Sequence, residues 1–455
     1  MAAVDLAVAA VAATRANRVS KNKSLKVSST LAAATCALLG SGLPEPVQAQ
    51  EDPGRNFDTA LLYYGENDDR VQDLSISVVG YRTYVDDRIL TLGFTADALT
   101  GASPNGALPQ SVPQTFTQPS GKNVFTTPAN ELPIDDTFRD TRVALTANWE
   151  QPLGRLNKIN FGASASKEFD YVHLGLNAKI SRDFNNRNTT LSGGIAFASD
   201  SIEPEGGTPE ELSQMLNAGD RSNRRGDESK DIIDIVFGVT QVVSRNTVVQ
   251  VNYSYSDSSG YLSDPYKIVG VVNGLSGDAV PITPTPGAEG PSHLNFFEHR
   301  PDNRVKNSLY TQAKHFSNGR VLDISYRYMT DDWEIDSHTV DVRYRWPIGS
   351  SAYIEPHVRY YTQTEAEFYT LNLIEGDPLP EYASADYRLG DFDAITVGAK
   401  YGWKTKGGND MNVRLEFYQQ SGSIPGNQLI GNQTNQDNYP DLNAIIFQYG
   451  YRFGK

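Results

Sequence analysis

Along much of this chain every second residue is apolar. Val143, Leu145, Ala147 and Trp149 alternate with Arg142, Ala144, Thr146, Asn148 and Glu150. Val340, Val342, Tyr344 and Trp346 alternate with Thr339, Asp341, Arg343 and Arg345. Met411, Val413, Leu415 and Phe417 alternate with Asn412, Arg414, Glu416 and Tyr418. A period of two separates the two faces of a β-strand, so these runs predict strands with one apolar face. They last about 10–13 residues, the length of tilted membrane strands, whereas ordinary sheet strands have about 5–6. Sixteen such strands fit the chain, at residues 57–65, 73–83, 88–98, 138–150, 156–167, 171–182, 188–200, 230–241, 246–257, 303–315, 319–330, 334–346, 351–363, 391–404, 410–421 and 441–453.

The connections between them sort into two sets. Tight ones fall at 84–87, 151–155, 183–187, 242–245, 316–318, 347–350 and 405–409. The other set holds every long loop: 99–137, 201–229, 258–302, 364–390 and 422–440. A soluble sandwich has no reason to sort its loops this way. A transmembrane up-and-down antiparallel β-barrel does, with short periplasmic turns and long extracellular loops. The closing run puts Phe447, Tyr449, Tyr451 and Phe453 on one face. In a barrel that face meets lipid, and the last strand pairs with the first so that no edge is left unsatisfied.

Composition narrows the picture. The chain has 455 residues and a formal charge of −15, which disfavours nucleic acid as a partner. Lys21, Lys23 and Lys26, the Ala- and Leu-rich stretch Leu25–Leu43 and the cleavage-like Val47-Gln48-Ala49 predict a signal peptide over 1–49 with an N-terminal extension. The barrel is then 50–455, placed in the outer membrane of a Gram-negative cell after cleavage near Ala49. Cys36, the one cysteine, falls in the leader, so neither a disulfide framework nor a thiolate metal site is expected. After Ala49 no run approaches the ~18 apolar residues of a membrane helix.

Several segments carry a resemblance. They are Asp97 to Ala107, Asp140-Thr141-Arg142, Ser166 to Tyr171, Gly260 to Lys267, Arg300-Pro301-Asp302 with Arg304, Asp332-Trp333 with Ser337, and Arg359-Tyr360-Tyr361 with Ala366 to Tyr369. Together they resemble an uncharacterised bacterial family of predicted outer-membrane β-barrels, a domain of unknown function. The resemblance covers nearly all of the chain beyond the leader. It implies the fold and the compartment, and no activity. Members encoded near small lipoproteins and flavin-transfer or thioredoxin-like proteins imply a periplasmic or lipoprotein partner, beside outer-membrane lipid and the barrel-insertion machinery.

Strand parity turns Asp97, Asp140, Arg142, Glu150, Arg327, Asp341, Arg343, Arg345, Glu355, His357, Arg359, Arg414 and Glu416 inward. The candidate lumen or binding residues are Asp97, Asp140, Arg142, Glu168, Arg327, Arg343, Arg345, Glu355 and Arg359. Two readings stay open: charges that set the selectivity of a channel, or salt bridges that fill and stiffen the lumen. The loop opening at Asp97 is long enough to fold into the mouth. No catalytic residue, metal ligand or cofactor is expected. The six histidines show no zincin spacing, and Asp336 with His338 and His299 with Asp302 are loose pairs. His315-Phe316-Ser317-Asn318-Gly319-Arg320 resembles a run in outer-membrane phospholipases, but Asn318-Gly319 is a strong hairpin signal. The expected role is a porin-like channel or selective pore for small hydrophilic solutes. A scaffold for a redox or assembly partner is the alternative, and a hydrolase of phospholipase type a minor one. Acidic outer loops predict cation preference at low salt, opposed by the inward arginines.

Overall fold

The computed structural model describes residues 54–67, 70–101, 104–134, 139–424, 428–439 and 441–454. The leader expected over 1–49, with its cleavage site, lies outside the described residues. In chain order the strands are β1 (Arg55–Glu66), β2 (Gln72–Thr83), β3 (Ile89–Thr100), β4 (Gln114–Thr117), β5 (Val124–Thr127), β6 (Arg139–Leu153) and β7 (Asn157–Lys167). Then follow β8 (Tyr171–Phe184), β9 (Thr189–Ile202), β10 (Glu228–Ser244), β11 (Thr247–Gly260), β12 (Ile268–Val272), β13 (Asn295–Phe297) and β14 (Asn303–Ser317). The last are β15 (Arg320–Asp331), β16 (Asp336–Ile348), β17 (Ala352–Gln363), β18 (Asn372–Ile374), β19 (Phe392–Lys404), β20 (Asp410–Gly422) and β21 (Leu442–Gly454).

Sixteen of these strands close into one antiparallel barrel, and β21 completes it by pairing with β1. Phe57 faces Phe453 across that seam, with ring centroids 5.3 Å apart. The aromatic face of the closing strand points outward, as Phe447 and Phe453 are 38% and 36% exposed. Leu61, Ile76, Leu145, Phe237 and Val397 continue that apolar exterior around the wall. Among the described residues no helix is long and apolar enough to cross a membrane. The wall is built of strands, whose backbone groups all pair because the sheet closes.

The long connections contain more structure than the alternation predicts. Loop residues form the hairpin β4–β5, and a second small sheet joins β13 to β12 and β12 in parallel to β18. The partners β12 and β18 are separated by about a hundred residues, so no local period announces the pair. Apolar clusters tie these loops into a cap. One holds Leu108, Trp333, Ile335, Tyr369 and Leu389, and another Val269, Val271, Leu373 and Ala383. The cap enters the mouth, because loop residues Tyr387 and Tyr439 pack with the inward Leu62, Tyr64, Leu442 and Ile446 of β1 and β21.

Candidate functional site

Antiparallel register lines up the inward residues of β14 to β21 in successive rungs. One rung carries Tyr310, Arg327, Thr339 and Tyr361. The next carries Ser325, Asp341, Arg359, Thr396 and Tyr418, and below it lie Asp323, Arg343, His357, Gly398 and Glu416. Charges of opposite sign meet along these rungs. Arg343 Nε lies 3.3 Å from Asp341, Arg345 pairs with Glu355 at 2.8 Å, and Lys400 reaches Glu355 at 2.7 Å. His357 bridges two strands, with Nε2 2.9 Å from Asp341 and Nδ1 2.8 Å from Glu416. An imidazole facing carboxylates from both nitrogens donates both bonds only as the imidazolium.

One group on this wall stands apart. Among the described residues Arg359 has no hydrogen-bond or ion-pair partner, although it lies within electrostatic reach of Asp341, Tyr418 and Arg327. The Tyr310 hydroxyl is buried beside Ser325, and the Arg327 guanidinium sits 5.6 Å from its ring centroid. Arg343, Arg345 and Glu355 thus belong to ion pairs, whereas Arg359 presents an unmatched guanidinium to the lumen.

Asp97, Arg142, Asp140 and Glu168 gather near the outer rim between β3 and β8. Arg142 Nε donates to Asp97 at 2.7 Å and lies 4.0 Å from Glu168. Asp97 also accepts from the Ser75 hydroxyl. Asp140 accepts from the Phe169 N–H at 3.1 Å, and Asp170 from the Tyr266 hydroxyl of the cap. Burial pushes the Glu168 carboxyl up to about 7, with Asp140 and Asp170 adding to the rise against Arg142. Burial, together with Asp140, pushes Asp170 up to about 6. Oxygens of Asp140, Glu168 and Asp170 lie within 4.8 Å of one another, as atoms of Glu211, His299 and Asp302 do. The first group is an all-oxygen donor set of the kind hard cations take. The loose pair His299 with Asp302 therefore gains Glu211, while His338 instead accepts from or donates to the Tyr326 hydroxyl at 2.7 Å.

Charged groups of the cap were not legible as a cluster. Arg300 donates to Glu298 at 3.0 Å and to Asp386 at 2.8 Å, and Arg388 donates to Asp264 at 2.7 Å. Lys267 donates to the Pro104 carbonyl, joining its loop to the one that follows β3, while the Arg300–Asp386 and Arg388–Asp264 pairs join it to the loop before β19. Burial alone would raise the Asp386 carboxyl, but Arg388, Lys267 and Arg300 hold it well below the usual carboxylate range. These residues are scattered over more than a hundred positions, so only the fold collects them. Ser164, His173 and Asp200, on three successive strands, also meet on the inner wall. At the other end of the barrel, His315 Nδ1 lies 2.9 Å from the Thr247 hydroxyl, and Asn318 and Gly319 turn the chain with φ of 49° and 78°. Two positive φ values are those of a type I′ hairpin.

A family model described as "Protein of unknown function (DUF3570)" matches residues 28–453. No curated protein matches the chain. Among solved structures, CdiB from Acinetobacter baumannii is 8% identical with a TM-score of 0.43, over 88% of this chain and 60% of its own. A bacterial polysaccharide outer membrane secretin is 10% identical with a TM-score of 0.42, over 88% of this chain and 97% of its own. A mutant ferric enterobactin receptor from Pseudomonas aeruginosa, in complex with enterobactin, is 8% identical with a TM-score of 0.39, over 82% and 54%. The chain spans less than two thirds of the length of CdiB and of the receptor.

Proposed function

The chain belongs to the family described as "Protein of unknown function (DUF3570)", and from that premise we propose that it is an outer-membrane β-barrel giving selective passage to small hydrophilic solutes. One observation carries the reading. The outside of the wall is apolar and aromatic, while the inside of β14 to β21 is laid out in charged rungs that include the unmatched Arg359. Such a lining suits a polar path whose selectivity is set by fixed charge, closed in this structure because Asp341, Arg343, His357 and Glu416 are buried against one another. The cap makes the passage gated instead of freely diffusive. Opening requires the Arg300–Asp386 and Arg388–Asp264 pairs and the apolar clusters of the cap to part together, so open molecules are rare. In this reading the leader is removed near Ala49 and the insertion machinery recognises the closing strand.

Uptake by proteoliposomes tests the proposal. Small sugars or amino acids should enter slowly with the natural protein, and faster with Arg300→Ala, which loosens the cap. Equal exclusion of every solute by both proteins would favour a second reading, a scaffold for a periplasmic or lipoprotein partner. That reading draws support from the cross-strand pairs of Arg345 with Glu355 and His357 with Asp341 and Glu416, which stiffen the wall.

A further inference from the structure

Three inward side chains on neighbouring strands stand in the order nucleophile, base and acid. Ser164 on β7 places Oγ 3.0 Å from Nε2 of His173 on β8. His173 Nδ1 lies 2.7 Å from Asp200 Oδ1 on β9. The register explains the contact. His173 and Asp200 are directly opposite each other, and Ser164 is opposite Gly175, one inward position along β8. Gly175 is what permits the diagonal reach. A Cβ there would lie 2.5 Å from Ser164 Oγ and 3.0 Å from His173 Nε2. The second oxygen of Asp200 is fixed by the Tyr171 hydroxyl and by the Lys230 ammonium at 3.7 Å. His173 and Asp200 are buried, while Ser164 is partly open to the inside.

This geometry assigns a proton path. With Nδ1–H donated to Asp200, His173 Nε2 keeps its lone pair toward the serine hydroxyl. That is the arrangement by which a base activates a serine and is itself held by a carboxylate. We propose that Ser164, His173 and Asp200 form a serine-hydrolase site inside the barrel, acting on short acyl esters of hydrophilic solutes.

Ser164 Oγ adds to the ester carbonyl carbon while His173 Nε2 takes the hydroxyl proton. The ester C–O bond breaks, and the proton passes to the departing alcohol oxygen. Water then adds to the acyl-serine with His173 as base, which releases the carboxylic acid and restores the serine. The Asn177 side-chain amide, one inward position below Gly175 and close against Gly162, supplies an N–H donor on the same face for the transient oxyanion. The ester class follows from the surroundings. The inward neighbours beside Ser164 are the small Thr146, Gly175, Ala196 and Ala198 and then the polar Asn148 and Asn177, which offer no apolar wall for a long acyl chain. The site also faces the lumen, away from lipid. It stands apart from the charged rungs, so it does not depend on whether the barrel conducts.

The test uses folded, detergent-purified protein, checked by its altered gel mobility before boiling. A fluorophosphonate probe should label one serine, mapped to Ser164, and p-nitrophenyl acetate should be hydrolysed much faster than p-nitrophenyl palmitate. Ser164→Ala should abolish labelling, and Asp200→Asn should lower kcat/KM by roughly 10⁴-fold. Gly175→Ala, which crowds the serine–histidine contact without removing either group, should lower labelling while the fold is kept. Absence of labelling and hydrolysis in the folded natural protein would overturn the proposal. So would labelling at Ser317 instead, or equal activity in Ser164→Ala.

Discussion

At the scale of single residues, the inward charges differ in what they have for partners. Arg343 is buried against Asp341 and close to His357 and Glu416. Arg343→Ala would leave Asp341 with His357 as its remaining close partner, and breaking a buried pair from one side costs up to about 3–5 kcal/mol. The expected result is a clearly lower urea midpoint, read by tryptophan fluorescence. Arg359→Ala removes a guanidinium without such a pair and should leave that midpoint nearly unchanged. It should instead raise cation over anion preference in any current the barrel carries. Glu168 gives a pH signature. Its folded pKa, about 7, stands above its ordinary value, so the folded state holds the proton that the unfolded state releases. The contribution is present at low pH and is lost as pH rises through the folded value. Stability should therefore fall between about pH 4.5 and 7, and Glu168→Gln should flatten that slope. Parity alone turned Asp97, Arg142 and Arg343 inward. It did not tell that Arg343 is paired and Arg359 is not, because pairing is set by register between strands.

At the scale of elements, the strands were legible because two solvents act on one sheet. Lipid demands apolar side chains outside and the lumen tolerates polar ones, so alternation survives along every crossing. The sixteen expected strands all appear, most of them longer by a few residues at one or both ends. The loop strands were not legible. Ile268–Val272 is a short apolar run whose parallel partner, Asn372–Ile374, is far away in the chain. A run buried on both faces has no period to read. The turn at Asn318-Gly319 was legible from its residues. Gly319→Val would force a branched side chain to a φ of 78°, at a cost of about 1–2 kcal/mol. Slower assembly, measured as the delay in acquiring heat-modifiable mobility, is expected. Ser317→Ala, which keeps that turn, should leave assembly and function unchanged. Deleting Gln448 to Lys455 should block assembly altogether, because β1 would lose most of its partner.

At the scale of the whole molecule, a rigid wall carries an acidic, folded cap. The wall is held by continuous hydrogen-bonded register from β1 around to β21. The cap is held by apolar clusters and by the Arg300, Asp386, Arg388 and Asp264 network. Acidic residues are dense in its loops, as in Glu203, Glu205, Glu210 and Glu211, or Glu365, Glu367, Glu375 and Asp377. Their field should concentrate cations at the mouth at low salt. The Debye length is about 30 Å at 0.01 M and about 3 Å at 1 M, so this preference should fade as salt rises. An anion preference that survives high salt would instead point to Arg359 near the ion path. Single-channel recording of the purified natural protein beside Arg300→Ala decides whether the barrel is a gated path. Rare openings are expected for the natural protein, with a higher open probability for the variant and cation preference in 0.01 M salt. A silent membrane with both proteins, each shown to be folded and inserted, would contradict a gated path.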